Sequence, residues 1–74
     1  MILLVWWYDE GVKFYLIPES IWDDRMNDQY LGLNEVDPDV EEMLMRLSDE
    51  LEGYEPITLP YKHDGKIVVA GYIE

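Results

Sequence analysis

The sequence predicts an α+β domain: an antiparallel sheet of three or four strands with two helices on one face, in the order ββααββ. Three observations lead there. Residues 1–17 hold two apolar runs rich in β-branched and aromatic residues, separated by the polar break Asp9-Glu10-Gly11, which is how a hairpin reads. The middle of the chain then changes to apolar residues spaced three and four apart, the period of a helix with one buried side. Alternation returns after Pro56. At 74 residues, with no internal repeat or linker, the expectation is a single domain over 1–74.

The first strand spans residues 2–8, apolar enough to be buried on much of both faces. Trp6 and Trp7 are consecutive, so in a strand they point to opposite sides, and the same holds for Phe14 and Tyr15 in the second strand, residues 12–17. Pro18 ends that strand because it has no N–H for a ladder. Ser20 with Asp23 reads as a short capping box opening a helix over 21–31, with Trp22, Met26 and Tyr30 on one stripe and Gly32 as its stop. The second helix has the clearest signals: Asp37 as cap, Pro38 at the first helical position, and Asp39, Glu41 and Glu42 at the positive end of the dipole. Val40, Met43, Leu44, Leu47 and Leu51 form its buried stripe before Gly53. A strand over 57–61 follows, placed at an edge by Pro60, and Asp64-Gly65 reads as a hairpin turn into a last strand over 66–73.

Composition narrows the function. Seventeen acids against five bases give a formal charge of −12, which repels nucleic acid phosphates and anionic membrane surfaces, so neither is an expected direct partner. The apolar run at residues 1–8 is far short of the ~20 residues a membrane span needs and lacks the basic flank of a signal peptide, so the chain is read as cytoplasmic. With no cysteine there is no disulfide, no thiol nucleophile and no thiolate ligand. His63, the one histidine, sits beside the Asp64-Gly65 turn and reads as a turn residue. Ser20 and Ser48 read as a cap and an exposed helix residue. No glycine-rich phosphate loop or calcium loop is present. The expectation is a chain that is not an enzyme and takes no metal or cofactor.

The charge distribution says more than any single motif. Thirteen acids lie between Glu19 and Glu55, offset only by Arg25 and Arg46. Crowding like charges onto a small surface opposes folding, which favours a functional reason for them, although dipole stabilisation and solubility explain part of the pattern. Carboxylates three or four apart on a helix sit at spacings comparable to successive phosphates, so Asp23, Asp24 and Asp28 on one helix and Glu41, Glu42 and Asp49 on the other form the candidate partner-binding set. The expected partner is a basic, nucleic-acid-binding protein. The alternative is a structural or interaction module that self-associates as a homodimer through an aromatic sheet face carrying Trp7 and Tyr15, with the acids serving solubility only. Burial of the same aromatics under a loop is the third reading of that face.

Between residues 12 and 60 the chain resembles the small acidic phage-borne anti-CRISPR proteins of type I-F. The matching pieces are Phe14-Tyr15 in a strand, Trp22-Asp23-Asp24, Asp28 followed by Gly32, the run Val40-Glu41-Glu42-Met43, and the stretch at 57–60. The resemblance implies a DNA mimic whose carboxylates fill the basic pocket with which a CRISPR effector subunit reads DNA, acting in the host cytoplasm. Asp24 and Asp28 stand at the positions of functional acids, and Asp23, Glu41 and Glu42 lie in the matching motifs. Asn27 stands where the pattern has an aromatic, and the apolar first strand and the last strand are additions to it.

Overall fold

A computed structural model of the chain describes residues 1–33, 35–58 and 61–73. Strands β1 (Ile2–Tyr8) and β2 (Gly11–Ile17) form the antiparallel hairpin expected from their alternation, with Ile2 opposite Ile17 and Tyr8 opposite Gly11. Gly11 closes the turn at a φ of 143°, a backbone that a residue without Cβ adopts at little cost. Alternation along β1 sends Ile2, Leu4 and Trp6 to one side of the sheet and Leu3, Val5 and Trp7 to the other. Trp6 is 6% exposed and Trp7 42%, so one step along the strand separates core from surface.

The helix α1 (Pro38–Leu51) forms where its signals place it. The Asp37 carboxylate accepts the Asp39 N–H at 3.0 Å, and Pro38 occupies the first turn, where its missing donor costs nothing. Val40, Leu44, Leu47 and Leu51 are buried, with Met43 at the margin. They pack on Ile2, Leu4, Trp6, Tyr15, Ile17, Val68 and Ala70 in one cluster that also takes Met26. Ile2, Leu4, Ile17, Met26 and Leu44 are fully enclosed, and each such side chain contributes about 1.5–3 kcal/mol of transfer free energy.

The sheet is mixed, not antiparallel, and among the described residues there is one α-helix, not two. Strand order is β2-β1-β4-β3, in which β4 (Ile67–Tyr72) runs parallel to β1 on one side and to β3 (Gln29–Leu31) on the other. Residues 21–31 do not continue into a helix. They pass through two 3-10 turns, Glu19–Ile21 and Asp24–Met26, into β3. Ser20 lies inside the first turn rather than capping a helix, and Gly32 follows a strand. The cause is the density of Asp and Asn, whose side chains offer the backbone local alternatives to a helix. Asp23 accepts the Arg25 N–H at 2.8 Å, and Asn27 Oδ1 accepts the Trp22 indole N–H at 3.1 Å. Asp28 adopts a left-handed φ of 59° and donates its N–H to Val69 O at 2.7 Å. Met26 still reaches the core, but from a turn.

Among the described residues the C-terminal hairpin is also absent. Ile57 makes a single antiparallel bridge to Phe14, on the outer edge of β2, while Leu59 and Pro60 of the expected strand lie outside the described residues. Asp64-Gly65 is a bend at which His63 Nε2–H donates to Lys66 O at 3.1 Å. From there the chain enters the slot between β1 and β3. It does so because β4 is apolar on both sides, Val68 and Ala70 toward α1 and Ile67 and Val69 away from it, the character of an interior parallel strand.

Gly71 sits where β4 passes Trp7. A Cβ there would lie 2.7 Å from Trp7 O and 2.9 Å from Trp7 Cβ, whereas one at Gly53 would meet only Glu50 O at 3.5 Å. Gly71→Ala is therefore expected to cost about 1–3 kcal/mol in urea denaturation. Gly53→Ala is expected to be neutral or stabilising by about 0.4–1 kcal/mol. Equal effects of the two substitutions would contradict this packing.

Candidate functional site

The stripe that α1 buries fixes what it shows. Asp39, Glu41, Glu42, Asp49 and Glu50 are exposed on its outer side, with Glu52 just beyond its last turn. The acids at the start suit the helix dipole. Those at the end oppose it, and no basic residue stands in the last turn to offset them. Arg46 is the one base on the helix, its Nη2 3.1 Å from Glu42 Oε1, with both side chains 71% exposed. A surface pair of that kind contributes about 0.3–0.5 kcal/mol. Among the described residues, Glu41 and Asp49 have no cation against them.

The three acids assigned to a first helix separate in function because that helix does not form. Asp23 takes both nitrogens of the Arg25 fork, Nε to Oδ1 at 3.2 Å and Nη2 to Oδ2 at 3.0 Å. The side-chain hydrogen bond to Arg25, then the Arg25 backbone N–H, holds the Asp23 carboxyl below the ordinary aspartate value of 3.8. The same pairing raises the Arg25 guanidinium, helped by the more distant charges of Asp39 and Asp37. Asp24 is bound by the Lys66 ammonium, which ties the second 3-10 turn to the start of β4. Asp28 remains exposed at its left-handed corner. Burial raises the pKa of nearby Tyr30, and the Asp28 charge adds to that shift. Of the six expected partner-binding acids, Asp23, Asp24 and Glu42 are thus already held by cations of this chain.

Beside Glu41 lies a feature the sequence did not signal. An open hollow of about 560 Å³ runs between α1 and the β3–β4 edge. Leu31, Val36, Met45, Tyr72 and Ile73 make its apolar wall, and among the described residues Glu35 and Glu41 are its charged lining groups. The available hint was Met45, a large apolar residue off the buried stripe, which is 47% exposed. A second groove of about 290 Å³ beside Trp22 is lined by Asp23 and Glu50 together with Arg46, so its charges are mixed.

No protein-family model, curated protein or solved structure matches this chain. Its site is read from its own chemistry.

Among the described residues no polar or charged side chain is buried, and no group of three or more His, Asp or Glu is placed to hold a metal ion. His63 is engaged by Lys66 O and stacks on Tyr61 with ring centroids 6.3 Å apart. Among the described residues no helix is long and apolar enough to cross a membrane.

The aromatic face needs one correction. Trp7 is exposed as the reading requires, but Tyr15 is 6% exposed and packs in the core under α1. Register decides this: Tyr15 pairs with Leu4 on the α1 side, and Phe14 pairs with Val5 on the other. Phe14, not Tyr15, shares a face with Trp7.

Because its folded value is lowered, Asp23 stabilises the fold above the unfolded aspartate value and ceases to do so as pH falls through the lowered one. Side-chain NMR is expected to place its midpoint below 3.8, and Arg25→Ala to move it back up. A midpoint indifferent to Arg25→Ala would rule out the pairing as the cause.

Proposed function

We propose that this chain is a non-catalytic binding protein that docks the carboxylate-bearing side of α1 on a basic protein, of the kind that binds nucleic acid. The observation that carries this reading is the hollow beside Glu41, whose wall is apolar and whose charges, among the described residues, are Glu35 and Glu41. A lysine or arginine of the partner would lay its aliphatic stem on that wall and bring its charged head to the two carboxylates. Asp49, Glu50 and Glu52 extend the negative field along the helix, against the local dipole. A field of that form speeds encounter with a basic groove and makes it salt-dependent.

The resemblance to anti-CRISPR proteins names one such partner, a CRISPR effector subunit met in the host cytoplasm. Within that reading the weight shifts along the chain. Asp23 and Asp24 have less charge to offer because Arg25 and Lys66 already hold them, and Glu42 is shared with Arg46. Asp28, Glu41 and Asp49 remain as the stronger phosphate-like positions.

The test is binding to a panel of purified basic nucleic-acid-binding proteins, including a type I-F surveillance complex, at low and high salt. The joint change Glu41→Lys and Asp49→Lys is expected to weaken the complex by roughly tenfold or more, and added salt to weaken it steeply. Asp24→Lys is expected to do less. A complex indifferent to salt and to the double reversal would end this reading.

A further inference from the structure

A hollow of about 290 Å³ opens at the C-terminal end of α1, beside the β1–β2 hairpin. Alternation along the hairpin brings Trp6 and Tyr8 of β1, with Lys13 and Tyr15 of β2, to the α1 side. Glu52 and Tyr54, just beyond the last helical turn, line it from across. Trp6 and Tyr15 are 6% exposed and form its floor, while Tyr8 and Tyr54 are half-buried at its walls. Among the described residues its charged groups are Lys13 and Glu52, and the two do not pair with each other. Lys13 instead places its ammonium 5.1 Å from the centre of the Tyr8 ring, so one aromatic of this hollow already holds a cation. Glu52 has no cation against it among the described residues, and no base stands in the last turn of α1, where the helix dipole is negative.

We propose that this hollow binds a small zwitterion of the betaine class, with a methylated ammonium at one end and a carboxylate at the other. The charges of the lining select that class. A free anion meets Glu52 and the field of a chain at −12. A free cation must share the rings with the Lys13 ammonium, which already sits on one of them. A zwitterion is neutral overall and brings its own counter-charge to Lys13. Its ammonium lies against the aromatic faces on the side of Glu52 and the helix C-terminus, and its carboxylate meets Lys13. Methylation matters because ring faces attract charge but satisfy N–H donors poorly, and a quaternary nitrogen has no N–H left to satisfy. The volume stands near the lower end of the roughly 300–1,000 Å³ of small-molecule sites, which suits a ligand of this size. This site is separate from the hollow beside Glu41 and does not rest on the docking of a basic partner.

The test is titration of the full chain with glycine betaine, followed by NMR at the Trp6 indole N–H and the rings of Tyr8 and Tyr54. Saturable shifts at these groups are expected. Two probes each lack one charge: tert-butylacetate, in which carbon replaces the nitrogen, and choline, which has no carboxylate. Each is expected to bind roughly fivefold more weakly than betaine, or worse. Glu52→Gln and Lys13→Gln change exposed positions, so the fold is expected to persist. Either is expected to weaken betaine binding by roughly threefold or more, and Lys13→Gln to bring choline closer to betaine. Glu41→Lys with Asp49→Lys is expected to leave betaine binding unchanged, which separates this proposal from the previous one. No saturable shift up to molar betaine overturns the proposal. So do shifts confined to another surface, a probe that binds as tightly as betaine, or a site indifferent to both glutamine substitutions.

Discussion

The rest of the structure depends on β4 lying between β1 and β3, parallel to both. Parallel neighbours cannot be joined by a tight turn, so the chain between β3 and β4 must leave the sheet and return. α1 is that excursion, and its apolar stripe buries the side of the sheet it crosses. The 3-10 turn carrying Met26 closes the same side. One layer is thereby complete and enclosed, and the reverse of the sheet is left without a helix. The two-sidedness of the molecule is a property of its topology before it is one of its composition.

The acids divide along the same line. Near the 3-10 turns they hold the fold: Asp23 locks Arg25 across the turn, and Asp24 anchors the lysine that precedes β4. On α1 they hold almost nothing. Glu42 keeps one exposed arginine, and Glu41 lines the hollow without an ion pair among the described residues. A chain of this size gains little stability from carboxylates at the negative end of a helix, so their presence there calls for a purpose outside the fold. Solubility is one such purpose, and the basic partner proposed above is another.

Much of this was legible from local signals. The cap at Asp37 and Pro38 concerns neighbouring residues only, and it placed α1 correctly. Consecutive Trp6 and Trp7 had to face opposite ways in any strand, and they do. The failures are non-local or competitive. Residues 67–70 are apolar on both faces, as an interior strand is, but they do not reveal their partner, because that choice depends on β1 more than sixty residues away. In 21–31 the spacing of Trp22, Met26 and Tyr30 matched a helix, but Asp23, Asn27 and Asp28 each found a bond or a backbone conformation that a helix would have denied them. The candidate site inherited that error. Its first three acids were grouped on an element that does not exist, and Glu35, Met45 and Tyr72 escaped notice because only tertiary packing brings them together. Choosing Tyr15 over Phe14 needed the hairpin register, which alternation alone leaves undetermined by one residue.

The pairing of Leu3 with Ile67 joins the two extremes of the described chain, and it sets the order in which the molecule can assemble. The β1–β2 hairpin is made before β4 and must wait, with one edge of β1 unsatisfied and apolar residues on both faces, until β4 has been synthesised. Such long-range closure is slow, and an exposed strand edge invites wrong partners meanwhile. The stretch that emerges next is the most acidic in the chain. A nascent hairpin trailing that much negative charge repels others like it, which works against association of the unfinished fold.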